Sequence, residues 1–386
     1  MANSFGYAMT LVLAGALAPS DFGALGALFG VALLATVPGN ALQLVVGRAT
    51  ARADTSGAGA SARAGVRLAL SVGLVLTIGL TALTPVLVAF LHLPDGRPVF
   101  WLAGLMVPYT LTVATQGVLL GRGKVSRLAA ANVITAAARL LAAVLAATLG
   151  WGLTGVMAAM TVAATLALAL VGALARELFA GGGTAPGRLL GETVVASLGV
   201  AGLIGLSSSD VLLARHFLPP DVSGAYVLAA LFAKAGLWGT QFVVMLFYPR
   251  LARVAQRRDA LVKSAMVVCV LGAVLVVATA LLAGPLVQAL NGYSQAADTA
   301  WLFAVLGTMW ALVQLIVLSG VAGADRTAWV ALWAGVALQV VLIATIAHDD
   351  ITSILAACLL TAALLVIAGW ARESSRNRKV LAARAA

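Results

Sequence analysis

Basic residues in this chain are not scattered. Of its 24 Lys and Arg, 20 fall in every second gap between long apolar runs or in the C-terminal tail. Only Arg97 and Arg215 fall in the intervening gaps, and only Arg139 and Lys234 lie deep inside runs, Arg67 and Lys263 being the second residues of theirs and counted with the adjoining gaps. The apolar runs number twelve, at 3–18, 22–47, 66–91, 99–121, 128–149, 152–175, 193–214, 222–247, 262–289, 299–322, 327–347 and 351–371. Most exceed the roughly 20 residues that carry a helix across a bilayer. Lys and Arg gathered on one side of successive spans orient them with that side inward. The pattern predicts twelve spans in a plasma (inner) membrane, with both termini cytoplasmic.

Composition agrees. Hydrophobic residues are 62% of the chain and charged residues 10%, a surface that lipid can solvate and water cannot. The net charge of +11 sits in short loops, so it reads as topology and contact with anionic membrane lipids rather than as a nucleic-acid footprint. Cys269 and Cys358 both fall inside apolar runs, which argues against a disulfide framework. Residues 3–18 lack the positive leading segment of a signal peptide and read as a first transmembrane helix whose cytoplasmic start is missing.

The gap at 181–191 holds Gly181-Gly182-Gly183 and Pro186-Gly187, a linker composition. It divides the chain into an N-terminal six-helix lobe at 1–180 and a C-terminal six-helix lobe with a basic tail at 192–386. The halves resemble one another at an offset of about 201. "APSDFGALGALFG" at 18–30 pairs with "PPDVSGAYVLAALFA" at 219–233 and sets Gly23 against Gly224. The same offset pairs Asn40 with Gln241 and Arg52 with Arg253, and an offset of 202 pairs Gly121 with Gly323 and Lys124 with Arg326. An even number of spans per half gives both copies one orientation, an arrangement many transporters use to set a substrate site between repeats.

Polar side chains inside apolar runs are costly and therefore candidate functional residues. Arg139 is near the middle of the fifth run, with Asn132 and Thr135 on its helical face. Lys234 is as deep in the eighth, followed at helical spacing by Trp238 and Gln241. Thr36, Asn40 and Gln43 form a stripe in the second run, Tyr109, Thr112 and Gln116 one in the fourth, and Trp310 and Gln314 a pair in the tenth. Two cations with amide and aromatic side chains suit an anionic, hydroxyl-rich ligand. Asp210 is the one carboxylate well inside a run; it is a candidate ion-pair partner for one cation, or a coupling group. The blander readings are helix–helix hydrogen bonds for the amides and core packing for the two tryptophans. No nucleophile, metal-ligand or cofactor motif is present, so neither catalysis nor a cofactor is expected.

Three stretches resemble a known family. "LAPSDFGALGALFGVALLATVPGNALQLVVGRATAR" at 17–52 is similar to the first hairpin of bacterial polysaccharide-export flippases. "QGVLLGRGKVSRLAAANV" at 116–133 resembles their passage from helix 4 to helix 5. "SSSDVLLARHFLPPDVSGAYVLAALFAK" at 207–234, with "FYPRLARV" at 247–254, resembles their helix 7–8 hairpin. These belong to the oligosaccharide-flippase branch of the multidrug/oligosaccharidyl-lipid/polysaccharide exporter superfamily, which also holds MATE-type drug antiporters and lipid II flippases. The resemblance implies an all-α polytopic membrane protein of about twelve helices in two six-helix lobes set in a V. It implies alternating access that moves a polyprenyl-pyrophosphate-linked oligosaccharide to the outer leaflet, beside polysaccharide-assembly membrane proteins. Arg139 and Lys234 then take the pyrophosphate, with Asn40, Gln116, Asn132, Trp238, Gln241 and Gln314 around the glycan. Three alternatives stay open: an ion-coupled drug antiporter, a non-transporting scaffold and a membrane glycosyltransferase. The first lacks an Asp or Glu inside the first six runs, and the last lacks a substantial outer loop.

Overall fold

The computed structural model describes residues 2–52, 58–179, 189–243, 246–247, 257–290, 293–322 and 326–385. The protein is an all-α polytopic membrane protein: among the described residues, eleven helices are long and apolar enough to span a bilayer, and a shorter apolar helix covers Phe5–Ala16. The chain separates into two compact units, Met1–Ala201 and Gly202–Ala386. The division falls inside a helix, whereas the expected linker is 181–191, most of which lies outside the described residues.

The first unit runs α1 (Ala2–Ala16), α2 (Pro19–Ala35), α3 (Val37–Arg52), α4 (Ala58–Ala82), α5 (Thr84–Phe90), α6 (Arg97–Gly121), α7 (Val125–Thr148) and α8 (Leu153–Ala175). Proline opens α2, α5 and α6, where its missing N–H costs nothing. The second span, α2 with α3, breaks at Thr36, two residues before Pro38. Its hydroxyl donates to Leu33 O at 2.9 Å. The third span breaks likewise at Leu83, before Pro85.

The second unit holds α9 (Leu189–Leu206), which begins in the first, then α10 (Ser209–Phe217), α11 (Pro220–Gly239), α12 (Arg257–Gln288), α13 (Ser294–Ala322), α14 (Arg326–Thr345) and α15 (Ile351–Ala385). The seventh apolar run is therefore two helices, interrupted at Ser207-Ser208. The final helix continues well beyond the run at 351–371. Pro19 and Pro220 open the second span of their units. Of the other repeat pairs, Arg253 and Gly323 lie outside the described residues, as does the side chain of Arg326.

The fourth span is the hub of each unit. α6 packs on α3, α4 and α8, and α13 on α11, α12 and α15. Lipid offers no hydrophobic drive for helix association, so close backbone approach and hydrogen bonds do the work. A Cβ on Gly117 would lie 2.4 Å from Gln43 O, and one on Gly121 2.3 Å from Gly47 O, so α3 and α6 touch backbone to backbone. In the second unit a Cβ on Gly307 would lie 2.1 Å from Ala233 O. Thr77 donates to Ala103 O and Thr161 to Trp101 O, both at 2.8 Å, tying α4 and α8 to α6.

Candidate functional site: a donor-rich cavity and a buried aspartate

Four helices of the first unit enclose a cavity of ≈ 300 Å³. α6 contributes Tyr109, Thr112 and Gln116, at spacings of three and four that place them on one face. α7 contributes Asn132, Thr135 and Arg139 by the same periodicity, and α3 contributes Asn40 and Gln43. α1 closes the cavity with Phe5, Gly6 and Met9. Gly6 leaves open space where a side chain would stand.

The polarity of this lining is one-sided. Tyr109 donates to Asn40 Oδ1 at 2.7 Å, which occupies that oxygen and leaves the amide N–H groups unspent. Thr112 donates to Pro108 O at 2.7 Å and Thr135 to Ala131 O at 3.0 Å, so neither hydroxyl proton is left over for a ligand. Arg139 is exposed, interacts electrostatically with Tyr109 and forms no ion pair among the described residues. Among the described residues, no Asp or Glu lines the cavity. A guanidinium with several amides and no carboxylate offers fixed positive charge and N–H donors, which suits oxyanions and sugar hydroxyls.

Of the residues singled out in the sequence, Asn40, Gln116, Asn132 and Arg139 meet in this one cavity. Lys234, Trp238, Gln241 and Gln314 do not line it; they belong to the second unit. Lys234 and Trp238 are half-buried on α11. Gln314 is buried on α13 with Oε1 unpartnered, one turn from a fully buried Trp310 whose Nε1 is also unpartnered.

Asp210 is fully buried at the start of α10. Tyr226 donates to its Oδ2 at 3.1 Å, and the backbone N–H groups of Asp210 and Val211 face the carboxylate. The positive end of a helix is a favourable place for such a charge. Lys234 interacts with Asp210 electrostatically without an ion-pair contact within 4.0 Å. Around the break, Gln339 Nε2 donates to Leu206 O at 2.9 Å and to Ser209 Oγ at 3.0 Å. Asp210 Oδ1, Ser208 Oγ, Gln339 Oε1 and Thr361 Oγ1 are buried without a hydrogen-bond partner. Gln339 was legible as a lone amide in the eleventh apolar run, yet only the break beside it gives it a role. Phe5, Gly6 and Met9 carry no polar signal at all.

No protein-family model and no curated protein matches the chain. Solved structures do. The inward-facing form of a multidrug-resistance MATE transporter of the MOP superfamily superposes with a TM-score of 0.78 at 16% identity, covering 98% of this chain and 96% of that one. The outward-facing form of such a transporter gives 0.71 at 14% identity, covering 98% and 93%. A MOP-superfamily transporter from Pyrococcus furiosus, whose binding pocket is described as of reverse polarity suggesting a different function, gives 0.58 at 15% identity, covering 97% and 92%. Over nearly its whole length, the chain has the fold of the MATE transporters of the MOP superfamily.

Proposed function

We propose that this protein is a membrane transporter that moves a polyprenyl-pyrophosphate-linked oligosaccharide from the inner to the outer leaflet. The observation that carries the reading is the cavity of the first unit: one unpaired guanidinium, four amide side chains and no lining carboxylate. A site for cationic drugs wants negative charge, and this one offers the opposite. Its ≈ 300 Å³ is at the small end of the range for small-molecule sites, about 300–1,000 Å³, so it holds part of a headgroup rather than a whole glycan. Arg139 takes an oxyanion, while Asn40, Gln116 and Asn132 meet phosphate oxygens or sugar hydroxyls. Lys234, Trp238, Gln241 and Gln314 are assigned to later positions of the substrate in the second unit. The one-sided distribution of Lys and Arg supports cytoplasmic termini, and the plasma membrane is the assigned location. Polysaccharide-assembly membrane proteins are the expected partners.

Asp210 is assigned to coupling. A fully buried carboxylate with one vacant oxygen can exchange a proton or cation, and Lys234 feels that change in charge. The same residue favours a second reading, an ion-coupled drug antiporter, as does the MATE fold.

The two readings separate on reconstitution into vesicles. With Arg139→Gln, leaflet exchange of a polyprenyl-pyrophosphate glycan should fall at least ~10-fold, as loss of one charge-assisted contact implies. Drug-driven cation exchange by the wild-type protein, with no glycan-lipid exchange, would refute the flippase reading.

A further inference from the structure

The basic ends of α3, α6 and α7 carry features that the central cavity does not use. Thr50 on α3 is 2% exposed, and its hydroxyl has no hydrogen-bond partner. Gly121, the last residue of α6, lies so close that a Cβ there would be 2.9 Å from Thr50 Cβ. The next residue, Arg122, buries its Nε without a partner. The chain then turns at Gly123, whose φ of 64° is the left-handed region that glycine adopts at least cost. Gly123 N donates to Leu120 O and Lys124 N to Leu119 O, both at 3.0 Å, so the turn is held by its own backbone. It leads straight into α7, whose first turn has neither a side-chain cap nor an acidic residue. A buried guanidinium N–H and a buried hydroxyl thus flank Gly121 without partners, beside the positive end of a 24-residue helix whose first amide, Val125 N, already donates to Gly123 O at 2.9 Å. Arg48, Arg52 and Lys124 are exposed close by in sequence and add positive charge without an ion pair among the described residues.

We propose that this turn is a binding site for a lipid phosphate at the inner surface of the membrane, built from Arg122, Thr50 and the N-terminus of α7. Basic pockets between membrane helices on the cytoplasmic side suit phosphorylated headgroups. An unpaired buried donor is costly unless a partner arrives, and a phosphate oxygen satisfies the guanidinium, the hydroxyl and the helix amides together. The phosphate can come from the pyrophosphate of a carrier lipid waiting to enter, or from an anionic phospholipid that anchors this end of the unit.

The test uses the full-length protein in neutral detergent micelles. Farnesyl pyrophosphate and dioleoyl phosphatidylglycerol are titrated separately, with dioleoyl phosphatidylcholine as the zwitterionic control. Wild-type protein should bind at least one of the two anionic lipids saturably, and the one bound names the source. Arg122→Gln should weaken that binding about 10-fold or more, the scale of one charge-assisted hydrogen bond. Thr50→Val should weaken it several-fold without lowering the melting temperature of the lipid-free protein, because the lost hydroxyl has no internal partner. Unchanged affinity in both variants, equal binding of phosphatidylcholine, or a lower lipid-free melting temperature in Thr50→Val would overturn the site. Loss of farnesyl pyrophosphate binding in Arg139→Gln but not in Arg122→Gln would overturn it too, while leaving the flippase reading intact.

Discussion

Among the described glycines of the second unit, Gly307 stands nearest to a neighbouring helix, and a single methyl group there tests how that unit holds together. A Cβ on Gly307 would lie 2.1 Å from Ala233 O and 2.7 Å from Ala233 C, both backbone atoms of α11. Ordinary contact begins near 3.4 Å, so α11 and α13 would have to part by about 1.3 Å. No rotamer change can absorb this, because neither clashing atom belongs to a side chain. Separation also strips contacts from Gly236, where a Cβ would sit 2.9 Å from Gly307 C on the same seam. Overpacking costs about 1–3 kcal/mol, and rigid backbone on both sides puts Gly307→Ala at the upper end or beyond. The control is Gly284→Ala on α12, where a Cβ meets nothing within 4 Å. There the better helix propensity of alanine should be neutral or stabilise by up to about 1 kcal/mol. Thermal unfolding in one detergent, followed by intrinsic tryptophan fluorescence, should rank Gly284→Ala at or above wild type and Gly307→Ala well below. Equal melting temperatures for the two variants would refute the claim that backbone contact holds α11 to α13.

Gln339→Leu should cost about 1–3 kcal/mol in the same assay, since it orphans Leu206 O and Ser209 Oγ at the helix break; a neutral result would mean that the break does not depend on this amide. Asp210→Leu should destabilise more than Asp210→Asn, which keeps an acceptor for Tyr226. Lys234→Met should partly rescue either, and strictly additive changes in a double-mutant cycle would show that the two charges are independent. Single cysteines placed next to Arg127 should resist an impermeant external thiol reagent in intact cells, whereas those next to Asp95 or Asp349 should react; the reverse pattern would invert the topology.

Much of the architecture can be read from the chain alone, for a physical reason. Lipid requires long apolar helices, and the positive-inside rule marks their ends, so span positions follow from local composition. The stripes of Asn132, Thr135 and Arg139 and of Tyr109, Thr112 and Gln116 follow equally from helical periodicity, and both do face one cavity. Periodicity fixes the angle of a residue about its own helix axis. It carries no information on which other helix lies opposite. Arg139 and Lys234 look alike in sequence, each a lone cation in an apolar run. In the structure Arg139 faces a cavity without carboxylates, while Lys234 feels a buried aspartate.

The sequence by itself determined the solvent, the approximate positions of the spans and which faces are polar, because each depends on composition over a few helical turns; of the twelve expected spans, eleven are long enough among the described residues and the first is a shorter apolar helix. Only the tertiary structure decided that α1 closes the cavity with Phe5, Gly6 and Met9, that the seventh run breaks at Ser207-Ser208, and that Gln339 reaches across to Leu206 from 133 residues away. These are contacts between distant segments. They depend on how closely two helices approach, and that distance is set by glycines such as Gly117 and Gly307 packing against backbone that no local pattern names.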